Sequence, residues 1–201
     1  MKLSELQFAP EHELPRHSVL FRIQRRVSRP GTAAFGVVRV APRGNQSGRF
    51  SLVDCEVGYF AEAGETAAYE ALARRESEAR VSLATLPNRV LLTLTVVRPV
   101  RLLDLRPHAS VWPVLQSERY AETQELAAGG CNNGFEGIIF RSAQQHGADC
   151  YALFGDSMKA LRLVLKEPLA LSDGILHKAV ITALRGSKVR VDPMVRPPSA
   201  K

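Results

Sequence analysis

The sequence predicts an α+β fold. Two observations carry that reading: runs of β-branched and aromatic residues crowd the first 105 positions, and the few helix-forming segments between them do not alternate regularly with strands, as a doubly wound sheet requires.

Strands are expected at 18–24 (SVLFRIQ), 35–40 (FGVVRV), 49–53 (RFSLV) and 57–61 (VGYFA), where apolar residues alternate or run together. The segment 64–80, GETAAYEALARRESEAR, then changes character: strong helix formers fill it, and Glu65–Thr66 supply acid and capping groups at its start. Strands resume at 89–97 and at 100–105 (VRLLDL). A second helix is expected over 117–128, SERYAETQELAA, stopped by the pair Gly129–Gly130. After the turn-rich GGCNNG, strands are expected at 136–141 and 150–154, and a last helix near 175–184. No internal repeat or low-complexity block interrupts the order.

At 201 residues the chain fits one domain with a substantial core. The expected division is an N-terminal extension over 1–17, a main domain over 18–185, and a basic, proline-containing tail over 186–201. That tail, GSKVRVDPMVRPPSAK, reads as extended or mobile.

Several function classes drop out. The longest apolar runs, such as VLLTLTVV at 90–97, are far shorter than a bilayer span. The amino terminus, broken by Glu5, Glu11 and Glu13, lacks a secretory apolar stretch, so a cytoplasmic protein without membrane attachment is expected. Cys55, Cys131 and Cys150 form no CxxC pair and read as reduced thiols. His12, His17, His108, His146 and His177 are scattered, and no metal is expected. There is no GxGxxG and no phosphate loop; RGSK at 185–188 lacks the upstream glycine. Ser142 sits in no GxSxG elbow. The net charge of +7 points to an anionic partner or substrate, although the arginines are spread out rather than blocked.

Four polar residues remain: Arg49 in GNQSGRFS, Tyr59 in EVGYFAE, Glu70 in ETAAYEAL and Ser142 in GFEGIIFRSAQ. Singly, each has an ordinary structural reading as a surface ion-pair partner, a strand aromatic, a solvated acid and a turn hydroxyl. Glu70 stands out, because an acid in the small, apolar AAYEAL segment is costly if that face packs inward.

The ordered motifs GRFS, GYFAEAGETAAYEAL, TQELAAGGCNNGFEGIIFRSAQ and CYALF resemble the RES-domain family, bacterial toxins named for an arginine, a glutamate and a serine. The steps of ten from Arg49 to Tyr59 and eleven from Tyr59 to Glu70 match the family pattern, and Arg22 in LFRI resembles its earlier arginine. The likeness runs from about residue 18 to about 170. Two positions depart from it: Asp149 stands where many members have asparagine, and Phe50 where GRW has tryptophan.

The resemblance implies an ADP-ribosyltransferase-like antiparallel sheet core with a few flanking helices, and NAD as substrate. It implies cleavage at the nicotinamide–ribose bond by phosphorolysis or hydrolysis, or transfer of ADP-ribose to a protein acceptor, and a helix-turn-helix antitoxin as partner. On this reading Glu70 stabilises an oxocarbenium-like ribose and Arg49, with Arg22 second, binds the pyrophosphate. Tyr59 stacks on a ring, and Ser142 bonds a ribose hydroxyl or the nicotinamide amide. Cationic nicotinamide leaves without a proton donor, so no metal is required. A competing reading from another class is a basic nucleic-acid-binding module using Arg39, Arg43, Arg185, Lys188 and Arg190. No recognition-helix motif supports it, and direct nucleic-acid binding is not expected.

Overall fold

Alternation of side chains across a pleated strand separates the apolar residues of this chain into two buried clusters, one on each face of a single large sheet. The computed structural model describes residues 10–73, 80–116, 119–171, 173–187 and 189–192. In chain order the elements are β1 (Glu11–Leu14), β2 (Val19–Arg25), β3 (Ala33–Phe35), β4 (Val38–Val40), β5 (Val57–Ala61), α1 (Gly64–Leu72), β6 (Arg80–Ser82) and β7 (Arg89–Val96). There follow β8 (Val100–Asp104), α2 (Tyr120–Asn132), β9 (Gly137–Arg141), β10 (Asp149–Phe154), β11 (Leu161–Pro168), α3 (Lys178–Gly186) and β12 (Arg190–Asp192), with short 3-10 turns between them.

Eight strands form the main sheet in the order β1-β8-β9-β10-β5-β2-β7-β11. Its pairs are antiparallel except β8 with β9. The expected α+β architecture, an antiparallel sheet core with few helices, is what the chain adopts.

In β10, Cys150, Ala152 and Phe154 join one cluster while Tyr151 and Leu153 join the other. Leu91 of β7 faces the first, and Val90, Leu92, Leu94 and Val96 face the second. Burial on both faces explains why these strands read as nearly continuous apolar runs. The first face is covered by the helices through Ala67 of α1, Leu126 and Ala127 of α2, and Ala179 and Val180 of α3. The second is covered by the β3–β4 hairpin through Val38 and Val40, together with Met158.

Several boundaries differ from the sequence expectations. The run 35–40 holds a hairpin turn rather than one strand, and 49–53 is a loop. The helix expected over 64–80 ends at Leu72; residues 74–79 lie outside the described residues, and Arg80 begins β6. α2 runs through Gly129–Gly130 to Asn132. Gly130 is there for close packing: a Cβ at that position would press on Leu103 at 3.3 Å. Glu11–Leu14, within the expected N-terminal extension, pairs with β8 as an edge strand. Arg190–Asp192, within the expected tail, pairs in parallel with β6. Among the described residues no helix is long and apolar enough to cross a membrane.

Candidate active site

The main sheet opens between β2 and β5. These neighbours share one register pair, Phe21 with Ala61, and beyond it the backbone ladder stops. Arg22 spans the opening. Its Nη1 donates to Tyr59 O on β5 at 2.6 Å, so a side chain takes up a carbonyl beside the interrupted ladder, and its Nη2 donates to Arg39 O of the β3–β4 hairpin at 2.7 Å. The guanidinium also lies 5.6 Å from the centre of the Phe60 ring. Burial lowers its pKa to about 10, which leaves it a cation at neutral pH.

A cavity of about 260 Å³ occupies the opening, and Arg22, Arg49, Tyr59, Glu70, Tyr120 and Cys150 are among the residues lining it. Arg49 is 8% exposed. The Nε atoms of Arg22 and Arg49 are buried without hydrogen-bond partners. Among the described residues neither arginine forms an ion pair. Cations held in one cavity with unused buried donors favour a bound anion.

Arg49 belongs to a loop that side chains hold in place. The Phe50 N–H donates to the Tyr59 hydroxyl at 2.9 Å, and burial raises the pKa of that hydroxyl despite this bond. Gly48 lies so close to Tyr59 Oη that a Cβ there would collide with it. From α2, Thr123 Oγ1 donates to Arg49 O at 2.6 Å, and Gln124 Nε2 donates to Gln46 O and Gly48 O at 2.9 Å each.

Glu70 enters from the last turn of α1 on the same face as Ala67, and both line the cavity, while Ala68 is buried on the other side of the helix. Ser142 follows β9 and donates through Oγ to Glu70 Oε1 at 2.6 Å. The same oxygen accepts the N–H groups of Gln144 at 3.1 Å and Gln145 at 2.9 Å. A hydroxyl has one donor and two acceptor sites, and all three are in use. Ser142 thus ties the Glu70 carboxylate to the turn at 144–145. Cys150, beside this pair, has its thiol pKa pushed well up, first by burial and then by the Glu70 charge.

The two departures in sequence have local explanations. Phe50 is fully buried and packs on Phe140 with ring centres 4.8 Å apart. The Asp149 carboxylate takes Arg106 Nη1 at 2.9 Å and Arg141 Nη1 at 2.6 Å, which binds it to basic partners rather than to the cavity. Tyr120, Thr123, Gln124 and Gln144 escaped the sequence reading. They occupy no recognisable spacing relative to Arg49 or Glu70, and only the fold brings them there. Among the described residues no group of three His, Cys, Asp or Glu side chains can hold a metal.

A family model described as the RES domain matches residues 19–172, more than half of the chain. The chain belongs to the RES domain family. Its five candidate residues all fall inside the matched span, and four of them, Arg22, Arg49, Tyr59 and Glu70, line one cavity of this RES domain. A crystal structure of the M. tuberculosis MbcT–MbcA toxin–antitoxin complex contains a chain of similar fold. That chain is 14% identical, with 78% of the RES protein and 86% of the other chain covered at a TM-score of 0.54. No curated protein matches.

Proposed function

We propose that this RES domain is the toxin of a toxin–antitoxin pair and cleaves NAD at the nicotinamide–ribose bond. The observation that carries the reading is the pairing, in one cavity, of a carboxylate fixed by Ser142 with the buried Arg49 and the half-buried Arg22, neither of which has a carboxylate partner among the described residues. Membership of the family and the fold shared with a chain of a toxin–antitoxin complex support an antitoxin partner.

The residues fit the substrate. Arg49 and Arg22 offer buried, unused Nε donors, and guanidinium groups match the oxygens of a pyrophosphate. A cavity of about 260 Å³ falls just below the roughly 300–1,000 Å³ typical of small-molecule pockets, so it takes one end of the dinucleotide. We place the nicotinamide riboside end there, against the Tyr59 ring.

Glu70 then faces the ribose. As the C1′–N bond lengthens, its electron pair moves to the nicotinamide nitrogen, and positive charge develops on C1′ and the ring oxygen. A preorganised carboxylate stabilises that charge more than the ground state, which is the requirement for catalysis. Water attacking C1′ gives ADP-ribose, nicotinamide and a proton. Inorganic phosphate attacking C1′ gives the 1′-phosphate of ADP-ribose and nicotinamide.

Incubation with NAD, with and without phosphate, followed by chromatography for nicotinamide, tests the reading. Wild-type protein is expected to release nicotinamide and the Glu70→Gln variant to release far less. Absence of release under both conditions, with no label passing from NAD to protein, contradicts it. A labelled protein product would instead assign transfer to an acceptor, using the same cavity.

A further inference from the structure

The loop carrying Arg49 has no strand to hold it. Three backbone bonds tie it internally, Gly44 N–H to Val53 O at 2.9 Å, Asn45 N–H to Pro42 O at 3.3 Å and Ser51 N–H to Gly48 O at 3.2 Å, and side chains bond the backbone groups next to Arg49. From the sheet, Tyr59 Oη accepts the Phe50 N–H. From α2, Thr123 donates to Arg49 O, and Gln124 donates both its amide hydrogens, to Gln46 O and Gly48 O. Within the loop, Ser51 Oγ accepts the Gly48 N–H at 3.0 Å and Asn45 Oδ1 accepts the Ser47 N–H at 3.0 Å.

These bonds bracket Arg49: its own carbonyl and that of Gly48 are both tied to adjacent residues of one helix. Thr123 is fully buried, and Gln124 is half-buried. A buried, partnerless guanidinium tends to swing toward solvent, and a loop free to move would let it. A rigid helix is a better support for such a group than loop contacts alone.

We infer that Thr123 and Gln124 are positioning residues that hold the Arg49 guanidinium in the cavity as an anion anchor. They touch no substrate; they act through the backbone of residues 46–49. For catalysis the inference rests on the NAD reading above, but anchoring of an anion by Arg49 can be measured without it.

Inorganic pyrophosphate is the probe, its affinity measured by calorimetry beside KM and kcat for NAD. Gln124→Glu keeps the shape but replaces the donor with an oxygen facing two carbonyls. It is expected to weaken pyrophosphate binding and raise KM roughly tenfold, in line with losing a charged hydrogen-bonding anchor, while kcat stays within about twofold. In an Arg49→Ala background the same change should have no further effect, because coupled residues are not additive. Thr123→Val is expected to weaken binding likewise, and Thr123→Ser, which keeps the hydroxyl, to recover it.

Three results overturn the inference: no pyrophosphate binding by the wild type, unchanged binding in Gln124→Glu, or an equal loss with and without Arg49. Should Gln124→Glu fail to fold, the Thr123 pair decides by the same criteria. Nicotinamide release with a silent Gln124→Glu refutes the inference alone. Pyrophosphate behaviour as expected without nicotinamide release refutes the proposed reaction alone.

Discussion

Ser142 Oγ stands 2.6 Å from Glu70 Oε1 and spends its only proton on that carboxylate. The two backbone N–H groups it accepts, from Gln144 and Gln145, fix the direction in which the proton points. Glu70→Gln removes the charge and keeps the size. Turnover should fall by on the order of 10²–10³, the loss typical for one electrostatic stabiliser, with NAD affinity changed far less. Steady-state kinetics with a separate binding measurement checks this; a loss confined to binding excludes Glu70 from the transition state.

Ser142→Ala should damage both activity and stability. It frees Glu70 and strands two backbone donors, each costing about 1–3 kcal/mol when buried. Urea titration should show a lowered midpoint alongside slower turnover. Full stability with lost turnover would instead mean that the serine acts on substrate directly.

Tyr59→Phe deletes the acceptor of the Phe50 N–H while keeping the ring in the cavity. The expected cost is about 1–3 kcal/mol. At about 2–4 °C per kcal/mol for a chain of this size, thermal unfolding resolves it readily. An unchanged melting temperature would show that the loop does not depend on this bond.

Acid sensitivity should centre on Asp104. Burial pushes its pKa up, but two bonds from Arg106 side-chain nitrogens and one from the Arg106 N–H outweigh it, and the net shift is downward. A carboxylate with a depressed folded pKa contributes stability that is complete above its unfolded value, about 3.9, and lost as pH falls toward the folded one. Melting temperatures between pH 7 and pH 3 should therefore converge for wild type and Asp104→Asn at the acid end. A constant gap across that range contradicts the assignment.

The three thiols should be slow to alkylate in the native protein at pH 8. Burial raises Cys131, burial with the nearby Cys131 and Glu56 raises Cys55 to about 11, and Cys150 stands higher than its ordinary value for the reasons given above. Neutral thiols are poor nucleophiles. Mass spectrometry after iodoacetamide treatment, with and without urea, should show modification mainly in urea; rapid native labelling of Cys150 would show that its side of the cavity is open.

The sheet core was legible because burial on both faces writes long apolar runs into the sequence, as in β7 and β10. β11 was not, since an edge strand interleaves Arg162, Lys166 and Glu167 with its apolar residues and so loses the pattern. The Gly129–Gly130 pair misled because glycine serves close packing as well as termination, and nothing local separates the two uses. At the site, Arg49, Tyr59 and Glu70 were found through ordered motifs, and the cavity unites them. What Ser142 does with its proton, and what ties the Arg49 loop to α2, depend on contacts 72 and 74 or more residues apart along the chain, which no spacing rule encodes.

The place of β10 in the sheet bears on biosynthesis. β10 lies between β9 and β5, although β5 is made some ninety residues before it. Until residue 154 is available, β5 lacks one neighbour and β9 lacks the strand that fixes the segment leading to Ser142. Glu70 and its serine therefore meet late in synthesis. A nascent chain carrying Arg22, Arg49, Tyr59 and Glu70 already has much of the cavity lining but not yet the hydrogen bond that fixes Glu70.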